Sequence, residues 1–192
     1  MNRAVFLDRD GVINELVYNP EFGTVDSPLN AGEFKLLPRV AEAIAKLNGL
    51  GLKVIIISNQ PAIAKGKTTQ TNFDLVNRRM VELLGEKAAW IDAQYYCYHV
   101  KEAMCDCRKP NIGLILEAQK DFNLDMSKSY MIGDSITDIQ AGKKAGCRTF
   151  MIGMLKCDLC RYMEAAGVKP DMIFPDLYGA VEQIGREANQ TK

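Results

Sequence analysis

Short apolar runs alternate with segments of helical periodicity along this sequence of 192 residues, and this alternation restricts the fold more than any other feature. Residues 53–58 are mainly β-branched and apolar, as in a parallel strand that is buried on both faces. Residues 39–50 instead repeat apolar side chains at a helical period, and glycines at positions 49 and 51 end the pattern. The alternation predicts an α/β fold with a doubly wound parallel sheet.

The same two patterns predict the remaining elements. We expect strands at residues 4–7, 93–98, 130–132, 148–152 and 172–174, and helices at residues 69–84, 112–122, 136–145 and 177–188. Proline and glycine interrupt residues 14–38 repeatedly, which predicts a long loop that lies as a flap over the strand ends. Because no repeat, low-complexity tract or linker divides the sequence, we expect one domain over residues 1–192.

Charge and hydropathy argue against several classes of partner. Lys and Arg together number 24, as do Asp and Glu, so the net charge is zero and no overall field favours nucleic acid. No apolar run approaches the length of a membrane span, and the first predicted strand begins too early to leave room for a signal peptide. We therefore expect a cytoplasmic protein that binds neither nucleic acid nor membrane, and we expect it to be a monomer.

Two carboxylates lie one residue apart directly after the first predicted strand. Asp8 and Asp10 are followed by Gly11, which allows a sharp turn. Ligands of open α/β sheets bind beyond the carboxyl ends of the strands. Carboxylates at that place can bind Mg²⁺ or act as a nucleophile with an acid–base partner. Two solvated surface acids would give the same short pattern, so this segment alone leaves both interpretations open.

Polar residues also follow two further predicted strands. Ser58 and Asn59 can form hydrogen bonds with phosphoryl oxygens, although a simple polar turn would contain the same residues. Asp134 follows the strand at residues 130–132, and Asp138 lies one helical turn further on the same face. Either aspartate alone is explained by a helix cap. The two together, beside a third strand end, favour a Mg²⁺ site.

Three of the six cysteines surround the single histidine of the sequence. This group is Cys97, His99, Cys105 and Cys107. Four such ligands complete a tetrahedral Zn²⁺ site and leave no position for water, so the site is predicted to be structural. Arg108 and Lys109 follow at once, where a fixed loop would present two cations to an anionic substrate. Cys157 and Cys160 could form a redox pair or a second metal site, but ordinary reduced thiols are favoured for this pair and for the separate Cys147.

The motifs arrive in the order that marks the haloacid dehalogenase (HAD) superfamily of phosphatases. They are D-x-D-G-V from position 8, S-N-Q from position 58, R-K-P from position 108 and G-D-x-x-x-D from position 133. With the C-x-H…C-x-C loop inserted, the sequence from about Phe6 to Gly146 resembles the small-capped branch that contains heptose bisphosphate and histidinol-phosphate phosphatases. The resemblance implies a HAD-like sheet with a minimal cap and a zinc-stabilised loop.

The resemblance also implies a phosphatase mechanism. Asp8 would be the nucleophile that forms an aspartyl phosphate. Asp10 would protonate the leaving oxygen and then activate water as a base. Ser58 and Lys109 would stabilise the phosphoryl group during its transfer, which depends mostly on positioning and charge neutralisation.

Two metal ions are implied by the same resemblance. The carboxylates of Asp8 and Asp134 and the backbone carbonyl of Asp10 would bind a catalytic Mg²⁺. Asp138 would orient Lys109 or a water on this ion. The cysteine and histidine ligands would bind a structural Zn²⁺.

The sequence leaves the phosphorylated sugar or alcohol substrate open between two branches. Residues 59–67 are similar to the heptose branch, whereas the five-residue gap between His99 and Cys105 resembles the histidinol-phosphate branch. The side chains expected to bind the substrate are Asn59, Lys65, Lys67 and Arg108. Three cations suit a bisphosphate, so we favour D-glycero-D-manno-heptose 1,7-bisphosphate, a precursor of surface lipopolysaccharide, with histidinol phosphate as the alternative.

Two further hypotheses remain at this point. A zinc-stabilised interaction module could keep the fold and lose catalysis, but every expected catalytic position is filled. A phosphotransferase or mutase of the same superfamily usually carries a larger cap, which keeps water from the aspartyl phosphate. The short insertions here disfavour that class.

Overall fold

The structure, a computed structural model, describes residues 1–153 and 163–190. The strands are β1 (Ala4–Leu7), β2 (Val17–Asn19), β3 (Thr24–Asp26), β4 (Lys53–Asn59), β5 (Ala93–Cys97), β6 (Tyr130–Gly133), β7 (Arg148–Ile152) and β8 (Met172–Phe174). The main helices are α1 (Val40–Gly49), α2 (Gln70–Gly85), α3 (Gly113–Phe122), α4 (Ile136–Lys144) and α5 (Leu177–Gln190). Cys157 and Cys160 lie outside the described residues.

Six strands form one parallel sheet in the order β5-β4-β1-β6-β7-β8. The chain moves outward from β1 through β4 to β5, and then returns to the other side of β1 to add β6, β7 and β8. The doubly wound α/β fold is therefore confirmed. The order reverses beside β1, and ligands of such sheets bind at the carboxyl ends of the strands at this reversal.

Hydrophobic residues cover both faces of the sheet. Val5 and Leu7 of β1 pack in a core with α1, α2 and α5. Phe6, which points to the opposite face, packs in a second core with α3 and α4. Because neither face of the central strands meets water, the sequence of β4 is a continuous apolar run rather than an alternating one.

Residues 14–38 contain more regular structure than the predicted loop. β2 and β3 form an antiparallel hairpin, in which Tyr18 pairs with Val25. A 3₁₀ turn follows at Ala31–Glu33. The prediction of a segment without strands was wrong, because residues that favour strands flank the turn around Pro20. Phe34 is buried and anchors the segment to the core.

The other element boundaries agree with the predictions to within about two residues, which is the usual uncertainty of helix ends. The helix predicted from residue 69 begins at Gln70, and Thr69 caps it by accepting a hydrogen bond from the backbone of Asn72. Within the described residues, no helix is both long enough and apolar enough to span a membrane.

Candidate active site

The carboxyl ends of the central strands bring together side chains that are far apart in the sequence. Asp8 follows β1, Ser58 lies near the end of β4, and Asp134 follows β6. The backbone N–H of Asp8 donates to the carbonyl of Ile132, so the turn that carries Asp8 continues the pairing of β1 with β6. Because β4, β1 and β6 are parallel neighbours, their carboxyl ends meet at one edge of the sheet.

Lys109 enters this group from the loop after β5 and is almost completely buried. Its Nζ lies 3.0 Å from Oδ1 of Asp8 and 2.6 Å from Oδ1 of Asp138, and it donates to the carbonyl of Ile57 at 2.6 Å. Burial by itself would lower the pKa of Lys109, but the charges of Asp138 and Asp8 raise it above its ordinary value. A fixed ammonium group therefore lies against the Asp8 carboxylate.

Three carboxylates beside this ammonium group form a candidate cation site. Asp8, Asp134 and Asp138 each offer an oxygen, and these oxygens lie within 4.8 Å of one another. Burial raises the pKa of Asp8 to about 6, against the opposing charge of Lys109. Burial, with the charges of Asp8 and Asp138, raises the pKa of Asp134 to about 7. Oxygen donors that are poorly solvated and repel one another fit a small divalent cation such as Mg²⁺.

Asp138 already has two partners besides any cation. One carboxylate oxygen pairs with Lys109, and the other accepts a hydrogen bond from the backbone N–H of Ser135 at 3.0 Å, which caps α4. Asp8 and Asp134 are therefore better placed to bind a cation. The supporting role of Asp138 stays a prediction.

Gly11 permits the close approach of the first strand turn to Asp134. Its φ is +82°, and a Cβ atom at this position would lie 2.1 Å from Oδ2 of Asp134. No side chain fits in that space, and the left-handed backbone conformation also favours glycine. The glycine that the sequence suggested for a sharp turn thus has a second function, which is to leave room for a carboxylate.

Asp10 is held by four side chains that donate hydrogen bonds. Arg9 and Asn14 donate to Oδ1 at 3.2 Å and 2.9 Å. Ser27 donates to Oδ2 at 2.9 Å, and the amide of Gln60 donates to the same oxygen. Burial acts to raise the pKa of Asp10, but the charge of Arg9 and these hydrogen bonds bring it below its ordinary value. These hydrogen bonds favour the ionised form of the Asp10 carboxylate and fix its direction.

Ser58 and Asn59 have different environments although they are adjacent. Ser58 is buried beside Asp8, and a hydrogen bond from Ser58 favours the ionised form of that carboxylate. Asn59 accepts from the backbone N–H of Lys109 at 3.0 Å and donates to its carbonyl at 3.1 Å. Asn59 therefore fixes the backbone of Lys109, whereas its contact with substrate stays a prediction.

The predicted zinc ligands lie together at the end of β5. One donor atom from each of Cys97, His99, Cys105 and Cys107 falls within 4.8 Å of the others. The Sγ of Cys107 is 3.2 Å from the Sγ atoms of Cys97 and Cys105, and the Nδ1 of His99 lies 3.2 Å from the Sγ of Cys107. Three thiols and one imidazole at these separations fit a tetrahedral, soft metal ion such as Zn²⁺.

Known proteins resemble this chain in sequence and in structure. D-glycero-beta-D-manno-heptose-1,7-bisphosphate 7-phosphatase of Mesorhizobium japonicum is 35% identical to it, over 96% of this chain and 84% of the relative. The enzyme of the same name from Escherichia coli K12 is 35% identical over 76% of each chain. A family described as HAD-hydrolase-like matches residues 106–180. The chain belongs to the HAD-like hydrolases.

A solved structure extends the likeness of this HAD-like hydrolase to the whole fold. D,D-heptose 1,7-bisphosphate phosphatase from B. bronchiseptica, complexed with magnesium and phosphate, superposes with a TM-score of 0.82. The two chains are 27% identical, and the match covers 96% of this chain and 99% of the other. The predicted resemblance is confirmed, and the chain is a phosphatase.

The basic residues of this HAD-like hydrolase do not form one group. Arg108 lines a cleft of about 470 Å³ together with Lys109 and Asn59, and its guanidinium donates to the carbonyl of His99 at 3.1 Å. Lys67 instead pairs with Asp26 of the hairpin strand β3. Of the three cations predicted to bind substrate, the structure brings Arg108 alone into the cleft that Lys109 lines.

Lys65 is the third of the cations predicted to bind substrate. It is exposed on the loop after β4, and no ion pair forms at its ammonium group within residues 1–153 and 163–190. It does not line the cleft that contains Arg108. A direct contact between Lys65 and a bound substrate stays a prediction.

Sequence reasoning missed the buried arginine of the HAD-like site. Arg9 has no exposed surface and, besides Asp10, donates to Asn77 and Gln60 at 3.1 Å each. Its guanidinium also lies over the ring of Phe73, 5.3 Å from the centroid. The sequence does contain one indication of this burial, since Arg9 lies between two carboxylates at the end of an apolar strand. A buried arginine at such a place needs several partners for its charge.

Proposed function

We propose that this HAD-like hydrolase is a Mg²⁺-dependent phosphatase that removes the 7-phosphate of D-glycero-D-manno-heptose 1,7-bisphosphate. The observation that carries the proposal is the contact of the Asp8 carboxylate with the buried ammonium group of Lys109, beside Asp134. A proposed nucleophile, a fixed cation and a candidate metal site then lie together at the carboxyl edge of the sheet. The choice of substrate follows the names of the relatives from M. japonicum and E. coli.

In the first step Asp8 attacks phosphorus, and the bond from phosphorus to the sugar oxygen breaks. The negative charge of a bound phosphate ester would raise the pKa of Asp10 again, so that Asp10 takes up a proton when the substrate binds. It then gives this proton to the sugar oxygen, and the sugar leaves as an alcohol. Lys109 and Ser58 face the phosphoryl oxygens and stabilise their charge during the transfer. Mg²⁺, held by Asp8 and Asp134, would neutralise further negative charge.

In the second step the aspartyl phosphate on Asp8 is hydrolysed. Asp10, now ionised, takes a proton from a water molecule, and the water attacks phosphorus. Inorganic phosphate leaves and the carboxylate of Asp8 is restored. The hydrogen bonds to Asp10 support this step, because they favour the ionised form that accepts the proton.

The cysteine and histidine cluster is proposed to bind one structural Zn²⁺. The cluster immediately precedes Arg108 and Lys109 in the chain, so a metal ion there would fix the loop that carries the phosphate-binding cation. We further propose that residues 1–192 act as one domain, as a monomer in the cytoplasm.

Phosphate release tests the proposed function directly. We would compare heptose 1,7-bisphosphate with histidinol phosphate in the presence of Mg²⁺, using Asp8→Asn as the control that removes the nucleophile. A kcat/KM that is higher for the bisphosphate and is abolished by Asp8→Asn is the expected result. Release that persists in Asp8→Asn, or that does not need Mg²⁺, would contradict the mechanism.

Histidinol phosphate is retained as the second candidate because of one observation. Five residues separate His99 from Cys105, which is the short spacing that resembles the histidinol-phosphate branch. A preference for histidinol phosphate in the same assay would mean that the length of the metal-binding loop indicates the substrate better than the names of the relatives do. No phosphate release from either substrate would show that this phosphatase acts on a different phosphate ester.

A further inference from the structure

A serine beyond the hairpin contacts the proposed acid–base residue directly. Ser27 follows β3 and is 9% exposed. Its hydroxyl donates to Oδ2 of Asp10 at 2.9 Å. The other donors to Asp10 are its chain neighbour Arg9, Asn14 of the same turn, and Gln60 after β4. Ser27 is therefore the partner of Asp10 that the hairpin segment supplies.

Asp26 links Ser27 to the other side of the site. One oxygen of Asp26 accepts a hydrogen bond from the backbone N–H of Ser27 at 3.0 Å. The other oxygen pairs with Nζ of Lys67 at 2.8 Å, and Lys67 also donates to Thr24 at 3.1 Å. The Lys67 side chain is only 12% exposed, so water screens this pair less than an ordinary surface pair. The loop after β4 thus holds the backbone at Ser27 in place.

We propose that Ser27 is a positioning residue for Asp10, and that the Asp26–Lys67 pair keeps Ser27 in the position this requires. This inference rests on the proposed role of Asp10 as general acid. A carboxyl group transfers a proton efficiently only when its oxygen lies within hydrogen-bond reach of the leaving oxygen. The hydroxyl of Ser27 fixes the direction of Oδ2, and Lys67 acts on catalysis through the hairpin rather than through a phosphate of the substrate.

The chemistry of the leaving group separates this role from a purely structural one. A sugar oxygen is a poor leaving group and needs a proton in the first step, whereas an aryl oxide such as p-nitrophenolate leaves without one. The value of kcat/KM covers the steps up to formation of the aspartyl phosphate. A misplaced Asp10 will therefore lower kcat/KM for a sugar phosphate and hardly change it for an aryl phosphate.

The first experiment measures kcat/KM of Ser27→Ala on the heptose bisphosphate, on glycerol phosphate and on p-nitrophenyl phosphate. We expect a loss of about tenfold for the two alkyl phosphates and of less than about twofold for the aryl phosphate. Ser27→Thr, which keeps the hydroxyl, should recover most of the loss. Thermal unfolding of each variant establishes that the fold is intact. An equal loss on all three substrates would overturn the proposal.

Asp10→Asn separates failure of this proposal from failure of the proposed acid. If Asp10→Asn loses activity selectively on alkyl phosphates and Ser27→Ala does not, the role of Ser27 is wrong and that of Asp10 stands. If Asp10→Asn shows no such selectivity, Asp10 is not the acid and both statements fall. Glycerol phosphate keeps the test valid whichever sugar phosphate is the natural substrate.

A double-mutant cycle tests the second half of the proposal. Asp26→Asn removes the charge that pairs with Lys67 and should lower activity on alkyl phosphates selectively, by a smaller factor than Ser27→Ala. The double variant should be no worse than Ser27→Ala, because Asp26 acts through the serine. Losses that multiply would show that Asp26 acts independently of Ser27 and would overturn the link.

Discussion

Lys109 and Asp138 form an ion pair that is almost completely removed from water. The Nζ and Oδ1 atoms are 2.6 Å apart, and the two side chains are 1% and 0% exposed. The same ammonium group contacts Asp8, so the pair sets the position of a cation against the proposed nucleophile. Buried pairs of this kind are weak evidence for high stability, but loss of one partner leaves the other charge uncompensated.

Asp138→Asn is expected to weaken both the fold and the catalysis. The variant leaves Lys109 with one fewer anion in a buried place, and we expect a loss of about 3 kcal/mol in the free energy of unfolding. Urea unfolding measures this loss. Glu42→Gln, which breaks a solvent-exposed pair with Arg39, is the control and should change stability by less than about 0.5 kcal/mol. An equal loss of unfolding free energy in the two variants would contradict the view that a buried ion pair matters more to stability than an exposed one.

Gly11→Ala should damage the carboxylate site more than the fold. The added methyl group strains a backbone with φ of +82° and would lie 2.1 Å from Oδ2 of Asp134. Gly146→Ala is a matched control, because φ is +78° there and no atom of the described residues lies within 4 Å of the place that its methyl group would take. Both variants should lose about 1–2 kcal/mol from the strain, and only Gly11→Ala should also weaken Mg²⁺ binding, measured by titration calorimetry.

Cys105→Ser should release the metal of the cysteine and histidine cluster. We expect about one Zn²⁺ per chain in protein purified without chelators, and a large loss of that zinc in the variant. Cys147→Ser is the control for zinc content, since Cys147 is not one of the four residues of the cluster. Elemental analysis measures the zinc, and thermal unfolding measures the loss of stability. Zinc-free wild-type protein would refute the assignment.

Arg108→Ala should distinguish a bisphosphate from a monophosphate. Arg108 lines the cleft beside Lys109, so loss of its charge should raise KM about tenfold for the bisphosphate and much less for a substrate with one phosphate. Lys65→Ala should have the smaller effect, since Lys65 does not line this cleft. Lys87→Ala, in the exposed turn after α2, controls for loss of a surface charge. Equal KM changes for both substrates would exclude a second-phosphate contact.

The sequence predicts the sheet and the strand-end residues well for a local reason. Continuous apolar runs mark strands that are covered on both faces, and parallel strands place their carboxyl ends on one edge. The meeting of Asp8, Ser58 and Asp134 follows from that rule alone. The cysteine and histidine cluster is similarly predictable, because few residues of the sequence separate its four members.

The remaining features depend on contacts that no short pattern contains. Ser27 and Asp10 meet only because the hairpin folds back over the first strand turn. The pair of Lys67 with Asp26 likewise joins the loop after β4 to β3, and the substrate contact predicted for Lys67 stays a prediction. Burial of Arg9 depends on aromatic residues of α2 and β5. Contacts of this kind join residues that are far apart in the sequence, so only the three-dimensional structure identifies them.

The central place of β1 has a consequence for the order of events in folding. This strand carries the proposed nucleophile at its end, yet both of its neighbours come later in the chain, and the backbone of Ala4 bonds to Ser129, 125 residues away. Closing so large a loop costs entropy before any contact repays it. While the protein is being synthesised, β1 can pair with β4 long before β6 exists, but Asp8 and Asp134 cannot form the candidate site until β6 has been made.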